Sequence, residues 1–216
     1  MFLNSYKKAL SVLAKKPFTL WGLSLMSALL TVVASLMFGF IPAIGIAVVY
    51  LLNCGMARIY LDGLDEKSVC SEQLFAAFNK NCFRVAGAMA WKDLWILIWF
   101  LVPIAGPVIA IIKSYSYRFV PYIVVTRPEV SATEALKLSM ELTKDKKGQM
   151  FLADLCFFAG IFVISFVLGL FSAIPVIGIL FTLVTLIFGI VVSALSSVFT
   201  GLYQAYFYAD SAKTEE

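Results

Sequence analysis

The chain has 216 residues, of which 62% are apolar and only 14% charged, with a formal net charge of +4 and no histidine. A soluble domain averages about 25% charged residues, so this composition excludes a water-covered globule; the mean hydropathy of +0.94 points the same way. The absence of histidine removes the commonest metal ligand and general base, and Cys54, Cys70, Cys82 and Cys156 form no CxxC pair, so no metal or cofactor is expected.

Three runs lack Lys, Arg, Asp and Glu: Pro17–Ala57, Leu94–Ile112 and Leu155–Ala209. A single bilayer crossing takes about 20 residues, and the first and third runs exceed that. The first also continues well past the apolar region of a secretory signal, about 7–15 residues, so it is expected to stay in the mature protein. The expected fold is all-α, a polytopic helical membrane protein forming one membrane domain over 1–216.

In chain order, residues 4–16 read as an amphipathic helix with Tyr6, Leu10 and Leu13 on one face and Lys7, Lys8, Ser11 and Lys15 largely opposite. The first hairpin covers 18–61, with spans 18–40 and 43–61. Residues 71–82 read as a second amphipathic helix, with Leu74, Phe75 and Phe78 on its apolar face. The second hairpin covers 84–126, with spans 84–102 and 107–126. Residues 131–146 form the third amphipathic helix, opened by the capping box Ser131-Ala132-Thr133-Glu134 and carrying Ala135, Leu136, Ser139 and Leu142 at helical spacing. The third hairpin covers 149–200, with spans 149–173 and 177–200.

The hairpins rest on an internal repeat. Ile41-Pro42-Ala43-Ile44-Gly45, Val102-Pro103-Ile104-Ala105-Gly106 and Ile174-Pro175-Val176-Ile177-Gly178 all fit [IV]-P-x-[IA]-G between apolar stretches. Proline lacks an N–H, and glycine tolerates the angles that end a helix, so each motif reads as a tight turn. Turning at Pro103 returns the basic stretch Lys113–Lys147 to the side of Lys7, Lys8, Lys15 and Lys16. Positive residues then gather on the cytoplasmic side, with six spans and both termini cytoplasmic in a cytoplasmic membrane. The inner segments are expected to attract anionic headgroups; nothing points to nucleic acid.

Residues Ile112 to Phe158 carry a resemblance to a family. Lys113, Tyr115 and Tyr117, then Pro128, an amphipathic helix ending at Ser139, the basic Lys144 and Lys147, and an apolar helix with Phe151 and Asp154 follow its pattern. Ala205, Phe207 and Tyr208 match its C-terminal Ala-x-Phe-Tyr. The chain resembles the bacterial membrane family called domain of unknown function 975 and, more distantly, the membrane portion of some glycerophosphodiester phosphodiesterases. It departs at Thr126 and Asp145, where the family commonly has Asp and Gly, and at Val198-Phe199, where Pro-Tyr is expected. The resemblance implies a topology and carries over no activity.

Ionisable residues at membrane depth are the candidate site: Lys113 about 9 Å inward from Pro107, Arg118 about 16 Å, and Asp154 about 10 Å from Lys147, with Lys92 and Asp93 beside them. A lone charge there costs at least about 2.5–3.5 kcal/mol, so Asp93 and Asp154 are each expected to meet Arg118, and Lys92 to snorkel to the inner surface. Lys113 and Arg118 are the candidate donors to an anionic headgroup, with Tyr115, Tyr117 and Tyr122 beside them; a buried pairing that fixes helix register is the plainer reading. Small residues recur every four positions at Ser27, Thr31, Ser35 and Gly39, and at Gly189, Ser193, Ser197 and Gly201. They read as faces on which the first and last spans pack, with a dimer face or a pore lining as the other readings. Trp91, Trp95 and Trp99 form a packing or lipid-facing ridge.

The function expected from these features is a non-enzymatic scaffold or accessory component working through a membrane partner or a second copy. The alternative is a small transporter or lipid-handling protein using Lys113 and Arg118. An intramembrane enzyme built on Asp93 and Asp154 as a carboxylate pair is the least supported.

Overall fold

The long apolar stretches of the described residues are helical, and so are the amphipathic segments between them. The computed structural model describes residues 2–15, 17–79, 81–174 and 178–213. Among these, helices run α1 Phe2–Lys15, α2 Pro17–Met37, α3 Pro42–Leu64, a 3-10 helix Ser71–Phe78, α4 Cys82–Phe100, α5 Gly106–Ser116, α6 Val120–Thr126, α7 Ala132–Leu142, α8 Lys147–Ser172 and α9 Gly178–Ala212, with no strand. Five segments are long and apolar enough to cross a membrane: α2, α3, α5 with α6, α8 and α9. The expected third span, α4, has 19 residues but carries Arg84, Lys92 and Asp93 within them, and falls short of the others. The expected span 107–126 is broken at 117–119, and the last helix runs on to Ala212 rather than ending near 200.

The turns work differently from the expectation. Pro42 occupies the first turn of α3, where its missing N–H costs nothing, so Gly45 lies inside that helix. In the second and third turns the glycine itself begins the helix: Gly106 N donates to Val102 O (2.9 Å) and Gly178 N to Ile174 O (2.7 Å); Pro175 lies outside the described residues. No described glycine has positive φ; the described left-handed residues are Glu66 (φ 58°), after α3, and Ile104 (φ 66°), in the second turn. What glycine supplies is closeness: a Cβ on Gly106 would stand 2.6 Å from Phe100 O, and one on Gly178 would collide with Ser172 O. The returning helix starts directly on the last carbonyls of the helix before it.

Burial is concentrated away from those turns. Gly63 packs beside Val12, Leu20 and Leu202, and Tyr60 and Tyr122 both reach α9, at Ser197 and Gly201. These contacts bring the starts of α2 and α8 and the ends of α3, α6 and α9 together at one end, the loop end. From there α3 runs back to Pro42 over 21 residues, about 32 Å at 1.5 Å per residue. Toward the turns the side chains are exposed: Phe40 and Ile104 are fully so, and α8 buries only Met150, Ala153 and Asp154 near its start.

The three amphipathic segments are wedged into the loop end. α1 buries Ser5, Ala9 and Val12, a stripe one residue round from the expected face, of which Tyr6 and Leu13 are half-buried against the core and Leu10 is exposed. The second segment is 3-10 rather than α, and buries Leu74 and Ala77 while Phe75 and Phe78 stay out. Its backbone lies so close to α3 that a Cβ on Gly55 would collide with the Leu74 carbonyl. α7 buries Ala135, Leu136, Ser139 and Leu142 as expected, and the Ser131–Glu134 box closes in both directions. Ion pairs Lys15–Glu66 (2.5 Å) and Lys146–Asp210 (2.6 Å) fasten the rim.

Candidate functional site

The break between α5 and α6 follows from Pro121, which has no N–H for the Tyr117 carbonyl and whose ring clashes with it. Val120 N donates to Tyr117 O instead (3.2 Å) and Arg118 N to Tyr115 O (3.4 Å), leaving the Ser116 carbonyl and the Phe119 N–H without helical partners. Both groups find α7. Ser139 Oγ accepts from Phe119 N (3.2 Å) and donates to Ser116 O (2.8 Å), and Thr143 Oγ1 donates to the same carbonyl (3.3 Å). Irregular backbone in an apolar bundle persists only where such partners satisfy it.

Arg118 sits at this break. Its Nη1 donates to Asp154 Oδ2 (2.6 Å), and its guanidinium lies over the Tyr115 ring (4.7 Å). With the Gln204 amide oriented to satisfy both partners, Gln204 Oε1 accepts from Arg118 Nε (3.3 Å) and Nη2 (3.1 Å). Asp154 is in turn held by the hydroxyls of Tyr115 (2.7 Å) and Tyr203. Three of the five guanidinium N–H groups are thus engaged, and the remaining face is turned to a cavity.

That cavity, about 580 Å³, is bounded by α2, α3, α4, α6 and α9. Its polar lining includes Ser27, Asn53, Lys92, Arg118, Thr200 and Gln204, and among the described residues no carboxylate lines it. Lys92 does not snorkel away; it is 18% exposed, pairs with Asp93 at 3.1 Å, and faces the cavity. Two cations, each paired with an aspartate outside the lining, face a space whose other described polar groups are hydroxyls and amides. Such a lining suits a phosphate or carboxylate.

No family model, curated protein or solved structure matches this chain.

The remaining expected residues are distributed otherwise. Asp154 meets Arg118, but Asp93 belongs to Lys92, so the two aspartates are held by different cations and do not form a carboxylate pair. Lys113 is outside the cavity: its ammonium lies over the rings of Trp99 (5.3 Å) and Tyr117 (6.0 Å), an arrangement that shelters a cation without a carboxylate. Trp91 and Trp95 meet edge to face (5.9 Å) as a packing ridge. Tyr122 lines the cavity, with its hydroxyl donating to Gly201 O (3.1 Å). Of the small residues, Ser27 is buried, but Ser35 and Gly39 are exposed. Gly201 admits the ring of Tyr60 on α3 rather than α2; Gly189 and Ser193 line an open groove, and Ser197 lies at its edge while its carbonyl accepts from Tyr60 of α3. α2 and α9 therefore pack only toward the loop end. Among the described residues no group of three His, Cys, Asp or Glu side chains is placed to hold a metal ion.

Sequence reasoning missed Asn53, Thr200, Tyr203 and Gln204 and the capping role of Ser139. A signal existed for two of them: Asn53 and Gln204 are the single amide side chains in the first and third charge-free runs. Nothing local marks Tyr203 among nine tyrosines.

Proposed function

We propose that the protein is a non-enzymatic lipid-handling component of a cytoplasmic membrane, and that the cavity between Lys92 and Arg118 receives an anionic headgroup. In this reading α4 is a sixth span completing three hairpins, the loop end is cytoplasmic, and the positive residues of the loops lie inside. The observation that carries it is the carboxylate-free polar lining around two cations. Burying Lys92 and Arg118 behind aspartates keeps them within an apolar bundle, where an unpaired charge is costly, while leaving donors for a ligand. Lys113, the other donor expected from sequence, has no part. The relation to the domain of unknown function 975 family remains part of the proposal; it draws support from Tyr115, Ser139 and Asp154, three of its positions, which together build the broken helix and its anchor.

The test is selective retention. Purified in an uncharged detergent, the protein is expected to keep anionic phospholipid in preference to zwitterionic phospholipid in native mass spectrometry, and Lys92→Gln and Gln204→Leu to weaken that preference about tenfold, roughly 1.4 kcal/mol. Equal retention of both lipid classes by the unaltered protein sinks the reading.

A scaffold role is the second reading. It draws on the α8–α9 hairpin, whose exposed Phe158, Phe162, Phe166 and Leu170 extend beyond the packed core. A stoichiometric protein partner that dissociates in a Phe162→Ala, Phe166→Ala variant would favour it.

A further inference from the structure

Beside the cationic cavity lies a second space of about 860 Å³, bounded by α2, α8 and α9, and the two share Ser24, Ala28 and Ser197 as common lining. We infer that the two spaces form one site for a single lipid, with an anionic headgroup at Lys92 and Arg118 and an acyl chain lying in the groove between α2, α8 and α9. This rests on the headgroup reading above and adds the identity of the ligand as a lipid, entering from the bilayer, rather than a free anion.

The wall chemistry separates an acyl chain from water or an ion. Six hydroxyl residues line the groove; Ser24 and Ser197 stand where it meets the cationic cavity, and each of the other four spends its proton on its own helix: Ser172 Oγ on Leu168 O (2.9 Å), Thr182 Oγ1 on Gly178 O (2.8 Å), Thr185 Oγ1 on Phe181 O (2.8 Å) and Ser193 Oγ on Gly189 O (2.8 Å). What they turn to the groove is mainly methyl and methylene surface, continued by Leu25, Leu186 and Ile190. The stripe of small residues that could have lined a pore is thus an apolar trough. Among the described residues no charged side chain lines it.

The groove is longer than one leaflet and runs in the direction an acyl chain would take. The groove follows α9 from Thr182 to Ser197, about 22 Å at 1.5 Å per residue, against about 15 Å for one leaflet of a hydrocarbon core roughly 30 Å thick. It starts at the cationic cavity and runs toward the turns, the direction taken by the chain of a lipid whose headgroup faces the loop end. Both volumes lie within the roughly 300–1,000 Å³ of small-molecule sites.

Gly169 and Gly189 supply the test, because both line the groove and an added Cβ at either meets no atom within 4 Å. Gly169→Phe and Gly189→Phe start from a Cβ position without a clash and extend a ring into the trough; folding of each is checked by its melting temperature, with Gly169→Ala and Gly189→Ala as the small controls. The probes are a long-chain monoacyl glycerophosphate, its zwitterionic phosphocholine counterpart, and chain-free glycerol phosphate, each titrated onto protein in uncharged detergent. The expected result is tight binding of the first alone, weakened about tenfold or more by either Phe substitution, since the ring takes the place of buried chain methylenes. A photoreactive group at the end of the chain should label α8 or α9. If glycerol phosphate binds as tightly as the acylated probe, or both Phe variants bind it unchanged, the groove is not part of the site and only the headgroup reading survives. If the anionic and zwitterionic probes bind alike, the headgroup reading falls, and this inference with it.

Discussion

At the scale of single residues, two helical glycines, each flanked by apolar residues in sequence, have opposite surroundings. Gly55 lies where the Leu74 backbone presses on α3, so a methyl group there must move main chain; Gly189 opens onto the groove. Overpacking of a tight contact typically costs about 1–3 kcal/mol. Gly55→Ala is therefore expected to lower the melting temperature in detergent clearly, while Gly189→Ala leaves it unchanged. Equal effects would mean that the 3-10 helix does not pack as described. Asp154 shows the same dependence on surroundings for charge. It answers Arg118 and two tyrosine hydroxyls at once, so Asp154→Ala should destabilise by about 3–5 kcal/mol, the usual result of stripping one partner from a buried pair. Asp154→Asn, which can still accept hydrogen bonds, should be milder in the same thermal melt.

At the scale of elements, α7 serves as the cap of an interrupted helix rather than as a helix resting on a surface. Ser139→Ala removes the acceptor of the Phe119 N–H and one of two donors to the Ser116 carbonyl. An orphaned buried group costs about 1–3 kcal/mol, and amide exchange at Phe119 should accelerate correspondingly; exchange unchanged from the parent would separate α7 from the break. The start of α7 is pH-sensitive for a stated reason. Hydrogen bonds from the Ser131 hydroxyl and backbone N–H hold the Glu134 carboxyl below its ordinary range. A folded-state pKa lowered in this way contributes stability above the unfolded pKa and loses it as pH falls through the folded value. The parent should thus lose more melting temperature than Glu134→Gln does on acidification across that interval, and parallel losses would remove the box from the account.

At the scale of the whole molecule, the loop end is a packed body and the turn end is a set of apolar helices with exposed flanks. The proposed six-span topology predicts opposite sides for the two. Cys70 is exposed on the segment between α3 and the 3-10 helix, so a membrane-impermeant thiol reagent should label it only in permeabilised cells. A cysteine at Phe40, in the α2–α3 turn, should be labelled from outside in intact cells. Labelling of Cys70 from outside would reverse the orientation, and failure to separate the two positions would remove α2 and α3 as a transmembrane hairpin.

Composition alone determined the helical, apolar character of this chain, and the three [IV]-P-x-[IA]-G motifs marked where the long runs turn, because hydropathy and proline act locally and are visible in one dimension. The Ser131–Glu134 box and the buried face of α7 were legible for the same reason: their partners lie within a few residues. The pairing of Asp154 with Arg118 followed from the cost of isolated charge. The sequence alone could not tell which other partners each charge would find. Lys92 took Asp93, Lys113 took aromatic rings, and Arg118 acquired Gln204 from the far end of the chain. Nor did periodicity reveal that Pro121 would open a span or that Ser139 would close it, since that exchange of hydrogen bonds joins two elements. The small-residue stripes were visible as stripes, but whether a stripe meets a helix or a void depends on how its neighbours diverge. Contacts within a turn of helix are encoded side by side; a cavity is set by separations between helices, and only the tertiary structure decides those.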